Sequence, residues 1–94
     1  MTKRELVKKV QEEIGHYPSK DIAYVVYLIF EAMSSALKRG ERIEIRGFGN
    51  FTVRRRREIQ GRNPKTSNAI NLPARKVPFF KVGKDLYDMI NLYK

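Results

Sequence analysis

The stretch RGFGNFTVRRRREIQGRNPKTSNAINLPARKVPFFK, residues Arg46 to Lys81, decides the fold. It opens on Gly47-Phe48-Gly49-Asn50, a turn by composition. Phe51 and Val53 then alternate with polar residues in the two-residue period of a half-buried strand. From Arg54 to Arg57 the chain offers only arginine, so this strand leaves the core there. A loop from Gln60 to Ala69 carries Gly61-Arg62-Asn63-Pro64, after which Ile70, Leu72 and Ala74 alternate with polar or proline residues. Val77, Phe79 and Phe80 return the chain to an apolar environment. Strand, loop and returning strand make a long hairpin whose outer part, about residues 54–75, is an arm with too little apolar surface to fold against itself. Isolated ribbons of this kind are marginal in water, so the arm is expected to be mobile without a ligand. At roughly 3.3 Å per residue, Arg54 to Pro64 gives a reach of about 33 Å.

Upstream of the hairpin, Arg42, Glu44 and Arg46 alternate with Ile43 and Ile45, which predicts a first strand. The pattern before it is helical. Thr2-Lys3-Arg4-Glu5 reads as a capping box, Leu6, Val7, Val10 and Ile14 recur at helical spacing, and Gly15 supplies a stop. After Pro18, a second and longer helix is expected with Ser19 as N-cap, Asp21 in its first turn and Gly40 at its end. Ile22, Val25, Val26, Leu28, Ile29, Phe30, Met33, Ala36 and Leu37 make its apolar face wider than one short helix covers. That face reads as a dimer interface or as the core helix of a monomer. Downstream of the hairpin, Lys81-Val82-Gly83-Lys84-Asp85 leads into a last helix with Leu86, Met89, Ile90 and Tyr93 on one side. Residues 1–94 are thus one α+β domain: a helical dimerisation region over 1–40, sheet and arm over 41–81, and a C-terminal helix within 82–94.

A chain of 94 residues buries a small core, and a partner subunit would add to it. Twenty Lys and Arg against ten Asp and Glu give a net charge of +10, which favours a polyanionic partner. The surplus is uneven: residues 1–53 carry nine basic and seven acidic side chains, residues 54–94 eleven and three. The absence of cysteine leaves no disulfide and no thiolate metal site, and fits a reducing compartment. No apolar run approaches the roughly 18 residues of a membrane span, and the N-terminus lacks a secretory pattern, so a cytoplasmic, nucleoid-associated location is expected. A single histidine, His16, and no clustered carboxylates or phosphate-cradling Gly-Lys-Ser/Thr motif leave nothing on which to build catalysis, a metal site, a cofactor site or a small-molecule substrate site.

Arginines along the arm, Arg54, Arg55, Arg56 and Arg57, are placed to neutralise phosphates. At the tip, Arg62 and Asn63 offer donors to the acceptors of a minor groove, which at roughly 6 Å wide admits a narrow ribbon end. Pro64 offers no donor but a rigid apolar wedge, of the kind that unstacks base steps at about a few kcal/mol per step. Phosphate contacts made by the bent flanks offset that cost.

Gly47-Phe48-Gly49-Asn50-Phe51, Arg56, Gly61-Arg62-Asn63-Pro64-Lys65-Thr66 and Val77-Pro78-Phe79-Phe80-Lys81-Val82-Gly83-Lys84 together resemble the HU and integration host factor family of bacterial nucleoid proteins. The resemblance covers essentially the whole chain. It implies an intertwined dimer, homodimeric or heterodimeric, whose two arms embrace double-stranded DNA, with Pro64 intercalating and Arg62 and Asn63 in the minor groove. Lys3 and Lys84, near helix starts, are similarly placed to meet backbone phosphate, joined by Lys65, Arg75, Lys76 and Lys81. Glu44 shares a strand face with Arg46 and is expected to hold it as a reader of sequence, which resembles the sequence-preferring subunits of integration host factor. Leu72-Pro73-Ala74 looks more like HU, and Ile59 stands where relatives usually carry a polar or basic residue.

A monomeric RNA-binding module that stacks bases on Phe48 and Phe51 is the alternative, since Arg46 to Phe51 begins like an RNA recognition strand. That pattern wants an aromatic where Asn50 stands, and a further strand where the upstream periodicity is helical.

Overall fold

The computed structural model describes residues 1–92, so the expected contribution of Tyr93 lies outside the described residues. The chain divides into two compact units, Met1–Ser35 and Ala36–Lys94. The boundary falls inside the second helix rather than at Gly40, because the last turn of that helix is bonded to the chain that follows it. Gly40 N–H donates to the Leu37 carbonyl and Glu41 N–H to the Ala36 carbonyl, the paired bonds of a Schellman motif. Glu41 is then held by Arg39, whose hydrogen bond and charge lower its carboxyl below the ordinary carboxylate range.

In the first unit, α1 (Lys3–Ile14) starts at Thr2, whose hydroxyl accepts from Glu5 N–H at 3.2 Å, and closes with Gly15 N–H on the Gln11 carbonyl. α2 (Ser19–Lys38) begins at the residue expected to cap it, one position early. Ser19 is helical, the carbonyl of Pro18 accepts from Asp21 and Ile22, and the Ser19 hydroxyl donates to Gln11 Oε1 instead. The side chain has a partner on α1, which local sequence does not reveal. Ile22 and Val26, each 5% exposed, are the buried core, with Leu6, Val7 and Val10 half-buried. Full burial of such side chains contributes roughly 1.5–3 kcal/mol apiece. An apolar groove of about 250 Å³, with Val10, Ile14, Val25 and Ile29 among its walls, opens beside them.

The second unit is built on a three-stranded antiparallel sheet, β1 (Ile43–Ile45), β2 (Gly49–Arg56) and β5 (Arg75–Val82), in the order β1-β2-β5. Between β2 and β5 run β3 (Ile59–Arg62) and β4 (Ala69–Leu72), which pair with each other. Strands therefore extend into the loop expected from Gln60 to Ala69, of which only residues 63–68 stay outside strands. The first turn is also tighter than expected: Arg46-Gly47-Phe48 forms it, with Phe48 N–H on the Ile45 carbonyl, and Gly49 already belongs to β2. Gly47 takes φ 82°, a conformation glycine adopts without penalty.

One sheet face carries Ile43, Ile45, Phe51, Val53, Pro78, Phe80 and Val82 by register. The Phe80 ring lies 4.7 Å from that of Phe51 and 5.5 Å from that of Phe48, so these aromatics form a packed cluster. α3 (Lys84–Ile90) is anchored on the first turn: Gly83 N–H donates to the Phe48 carbonyl and Leu86 N–H to the Gly47 carbonyl. Leu86 is half-buried, whereas Met89 and Ile90 are 70% and 69% exposed, so among the described residues Leu86 alone of that expected apolar face is covered within the chain. No helix among the described residues is long and apolar enough to cross a membrane.

Candidate nucleic-acid interface

The ribbon is in register from sheet to tip. Arg56 pairs with Arg75 and Ile59 with Leu72, so the gap between them takes two residues from each strand, Arg57-Glu58 and Pro73-Ala74. Hydrogen bonding does not keep phase across that gap. Gly83 N–H bonds the Phe48 carbonyl at the sheet end and Asn63 N–H the Asn68 carbonyl at the tip. Hydrogen-bonded pairs recur every second residue in an antiparallel ladder, yet Phe48 and Asn63 are an odd number of residues apart. The ladder must slip once, on both strands together, and the gap at Pro73 is where it does so. Below the slip Pro78 faces Val53 at a non-bonded position, where its missing N–H is no loss.

Charge is concentrated on this element. Residues 54–76 hold Arg54, Arg55, Arg56, Arg57, Arg62, Lys65, Arg75 and Lys76 against one acid, Glu58. The register sets Arg55 opposite Lys76 and Arg56 opposite Arg75, two successive like-charged pairs. The ion pairs found among the described residues, Arg39–Glu41, Arg42–Glu44 and Lys84–Asp88, include none of these four. Arg54 differs: its guanidinium carbon sits 3.5 Å from the centre of the Phe79 ring, which restrains it. Arg75 is half-buried, and its Nη1 is buried without an acceptor.

At the tip, Asn63 organises the loop. Its side-chain oxygen accepts from Lys65 N–H at 2.9 Å, bridging Pro64, while its carbonyl accepts from Ser67 N–H at 2.7 Å. Arg62 Nη1 donates across the loop to the Ser67 carbonyl at 3.3 Å. Ser67 adopts φ 59° to close it. Pro64 is exposed on this small cradle.

The remaining expected contacts scatter over other elements. Lys81 lies in β5 opposite Asn50, and Lys84 opens α3 with its ammonium 2.6 Å from Asp88. Lys3 is the exposed first residue of α1 in the other unit. Arg46 is in the turn, not on β1, and Glu44 does not hold it: Glu44 pairs with Arg42 at 2.9 Å. β1 ends at Ile45, so Arg46 leaves the strand before its side chain can align with Glu44. The Asn50 amide, turned with its oxygen toward Arg42, accepts from Arg42 Nη2 at 3.2 Å. The register puts Glu44 opposite Asn50, so Arg42, Glu44 and Asn50 form one polar group that local alternation does not reveal.

This chain matches the family model described as "Bacterial DNA-binding protein" over residues 1–91. It is 48% identical over 91 residues to integration host factor subunit beta of Saccharophagus degradans, covering 97% of this chain and 93% of that one. The chain belongs to the HU and integration host factor family. Another member, integration host factor subunit beta of Methylococcus capsulatus, is 46% identical over 94 residues, covering 100% and 99% of the two chains. Among solved members of the family, the Anabaena HU–DNA cocrystal structure superposes with a TM-score of 0.84 at 34% identity, covering 96% of this chain and 97% of that one. HU from Thermotoga maritima gives 0.67 at 30% identity, covering 96% and 98%. The RNA-module alternative would use Phe48 and Phe51, whose rings pack against that of Phe80.

Proposed function

We propose that this protein is a non-catalytic architectural component of the bacterial nucleoid. It binds double-stranded DNA as a dimer, enters the minor groove with its ribbon tips, and bends the duplex by inserting Pro64 between base steps. The observation that carries this reading is the exposed Pro64, mounted on the Asn63 cradle at the end of a ribbon whose flanks are cationic. Membership of a family with a DNA-bound solved relative supports it. Arg54, Arg55, Arg56 and Arg57 serve the phosphates, with Lys65, Arg75, Lys76 and Lys81. Arg62 and Asn63 face groove acceptors, and the Asn63 amide nitrogen is the part of that side chain not used in the cradle. Lys3, Arg46 and Lys84 extend the contact onto the body.

Dimerisation rests on the lack of a sufficient core. Only Ile22 and Val26 are buried apolar side chains among the described residues, while Tyr24, Val25 and Ile29 of α2 are more than half exposed. A second copy or a related subunit would cover them. Sedimentation with competition binding tests the whole reading: a dimer that prefers duplex DNA to single-stranded RNA is expected, and a monomer preferring RNA would overturn it.

A further inference from the structure

From Ile22 to Phe30, α2 carries no charged side chain and no polar group beyond two tyrosine hydroxyls, so apolar surface runs round the whole helix there. Ile22 and Val26 are buried, and Val25 and Ile29 wall the groove shared with Val10 and Ile14. A second stripe lies on another side of the helix. At 3.6 residues per turn, Lys20, Tyr24, Tyr27 and Glu31 fall within about 60° of one another and about 150° from the groove side. All four are exposed, Tyr24 at 61% and Tyr27 at 47%, and the exposed Leu28 widens the stripe. The two tyrosine rings stack on each other, 6.4 Å between centres and 23° between planes, so they form one aromatic plate. Spacings of four, three and four residues are those of a coiled-coil seam, which requires a facing helix.

Charge complementarity selects the facing helix. Laid parallel on itself, the stripe sets Lys20 against Lys20 and Glu31 against Glu31. Turned antiparallel about a twofold axis between Val25 and Val26, it sets Tyr24 against Tyr27, and Lys20 against Glu31 twice over. Neither Lys20 nor Glu31 joins an ion pair among the described residues. Residues 1–35 carry five basic and five acidic side chains, so this unit is neutral in a chain of net charge +10, and two copies can approach through it without mutual repulsion.

We propose that the Tyr24–Tyr27 stripe is a self-association surface on which a second copy of this chain docks, α2 against α2, antiparallel and isologous. The groove side of α2 takes no part in this contact, so a chain already paired through that side still presents the stripe, and two dimers join into four chains. The count of four rests on the dimeric reading above; the stripe contact does not.

Sedimentation of the full chain without DNA, over a range of concentrations at low salt, reads the contact. Wild type is expected to pass from two chains to four as concentration rises. Glu31→Lys turns two attractive pairs into two repulsive ones and should weaken that step by about tenfold. The double reversal Lys20→Glu with Glu31→Lys restores both pairs in the antiparallel arrangement and should restore the step, an outcome that damage to folding cannot produce. Tyr27→Lys should abolish the step while leaving two chains together. A wild type that stays at two chains at every concentration, with Glu31→Lys the same, would overturn the proposal and leave the stripe to a different partner. So would a four-chain species indifferent to Glu31→Lys, or a double reversal no better than Glu31→Lys alone. A wild type that passes only from one chain to two, and loses that step in Glu31→Lys, keeps the stripe contact and overturns the separate dimer.

Discussion

A Cβ placed on Gly49 would lie 2.6 Å from the Phe80 ring and from the Lys81 carbonyl oxygen, so this position tolerates only hydrogen. Gly49→Ala is expected to destabilise the fold by about 1–3 kcal/mol, the ordinary range for overpacking. In a domain of this size each kcal/mol lowers Tm by roughly 4–8 °C, so a thermal melt reads the change, and an unaltered Tm would contradict the packing described. Composition marks Gly47 and Gly49 as turn residues, and for Gly47 that is right. The reason for Gly49 is a close approach from β5, visible only once Phe80 is brought opposite Phe51. Asn63 shows the same limit: its donor character is legible in the sequence, but its use of the side-chain oxygen to bridge Pro64 is not. Glu44 pairs with Arg42 rather than Arg46 because the turn comes one residue sooner than alternation suggests.

Helices are the most legible elements, since Thr2, Gly15 and Gly40 mark ends through local bonds. Ser19 departs because its hydroxyl meets Gln11, a residue eight positions earlier. The strands are legible as a hairpin, but the phase slip is not, because a simultaneous slip on both strands leaves the residue count intact. Beyond it, Ile59 and Gly61 take the hydrogen-bonded positions that Arg54 and Arg56 occupy below it. The ribbon still acts as one charged element. Replacing Arg55 and Arg57 together by Ala should lower the magnitude of the salt slope of duplex binding by roughly 0.9 for each phosphate they neutralise. A slope equal to that of wild type, measured over the same salt range, would remove both arginines from the interface.

At the scale of the whole molecule, α+β class and element order follow from periodicity, and the polyanion preference from net charge. The division of the chain inside α2 does not, because the bonds that tie Ala36 and Leu37 to Gly40 and Glu41 belong to backbone geometry. The exposed apolar face of α2 and the uncovered Met89 and Ile90 agree with a body that two chains complete. On the proposed function the two arms of such a body would share the work of bending, with affinity arising from their cations and curvature from their tips. Those two quantities separate in one experiment. Energy transfer between dyes at the ends of a short duplex, measured at saturation with wild type and with Pro64→Ala, reports the bend independently of occupancy. The account predicts that the variant still saturates the duplex but gives a clearly lower transfer efficiency; equal efficiency in the two saturated complexes would contradict the wedge role of Pro64.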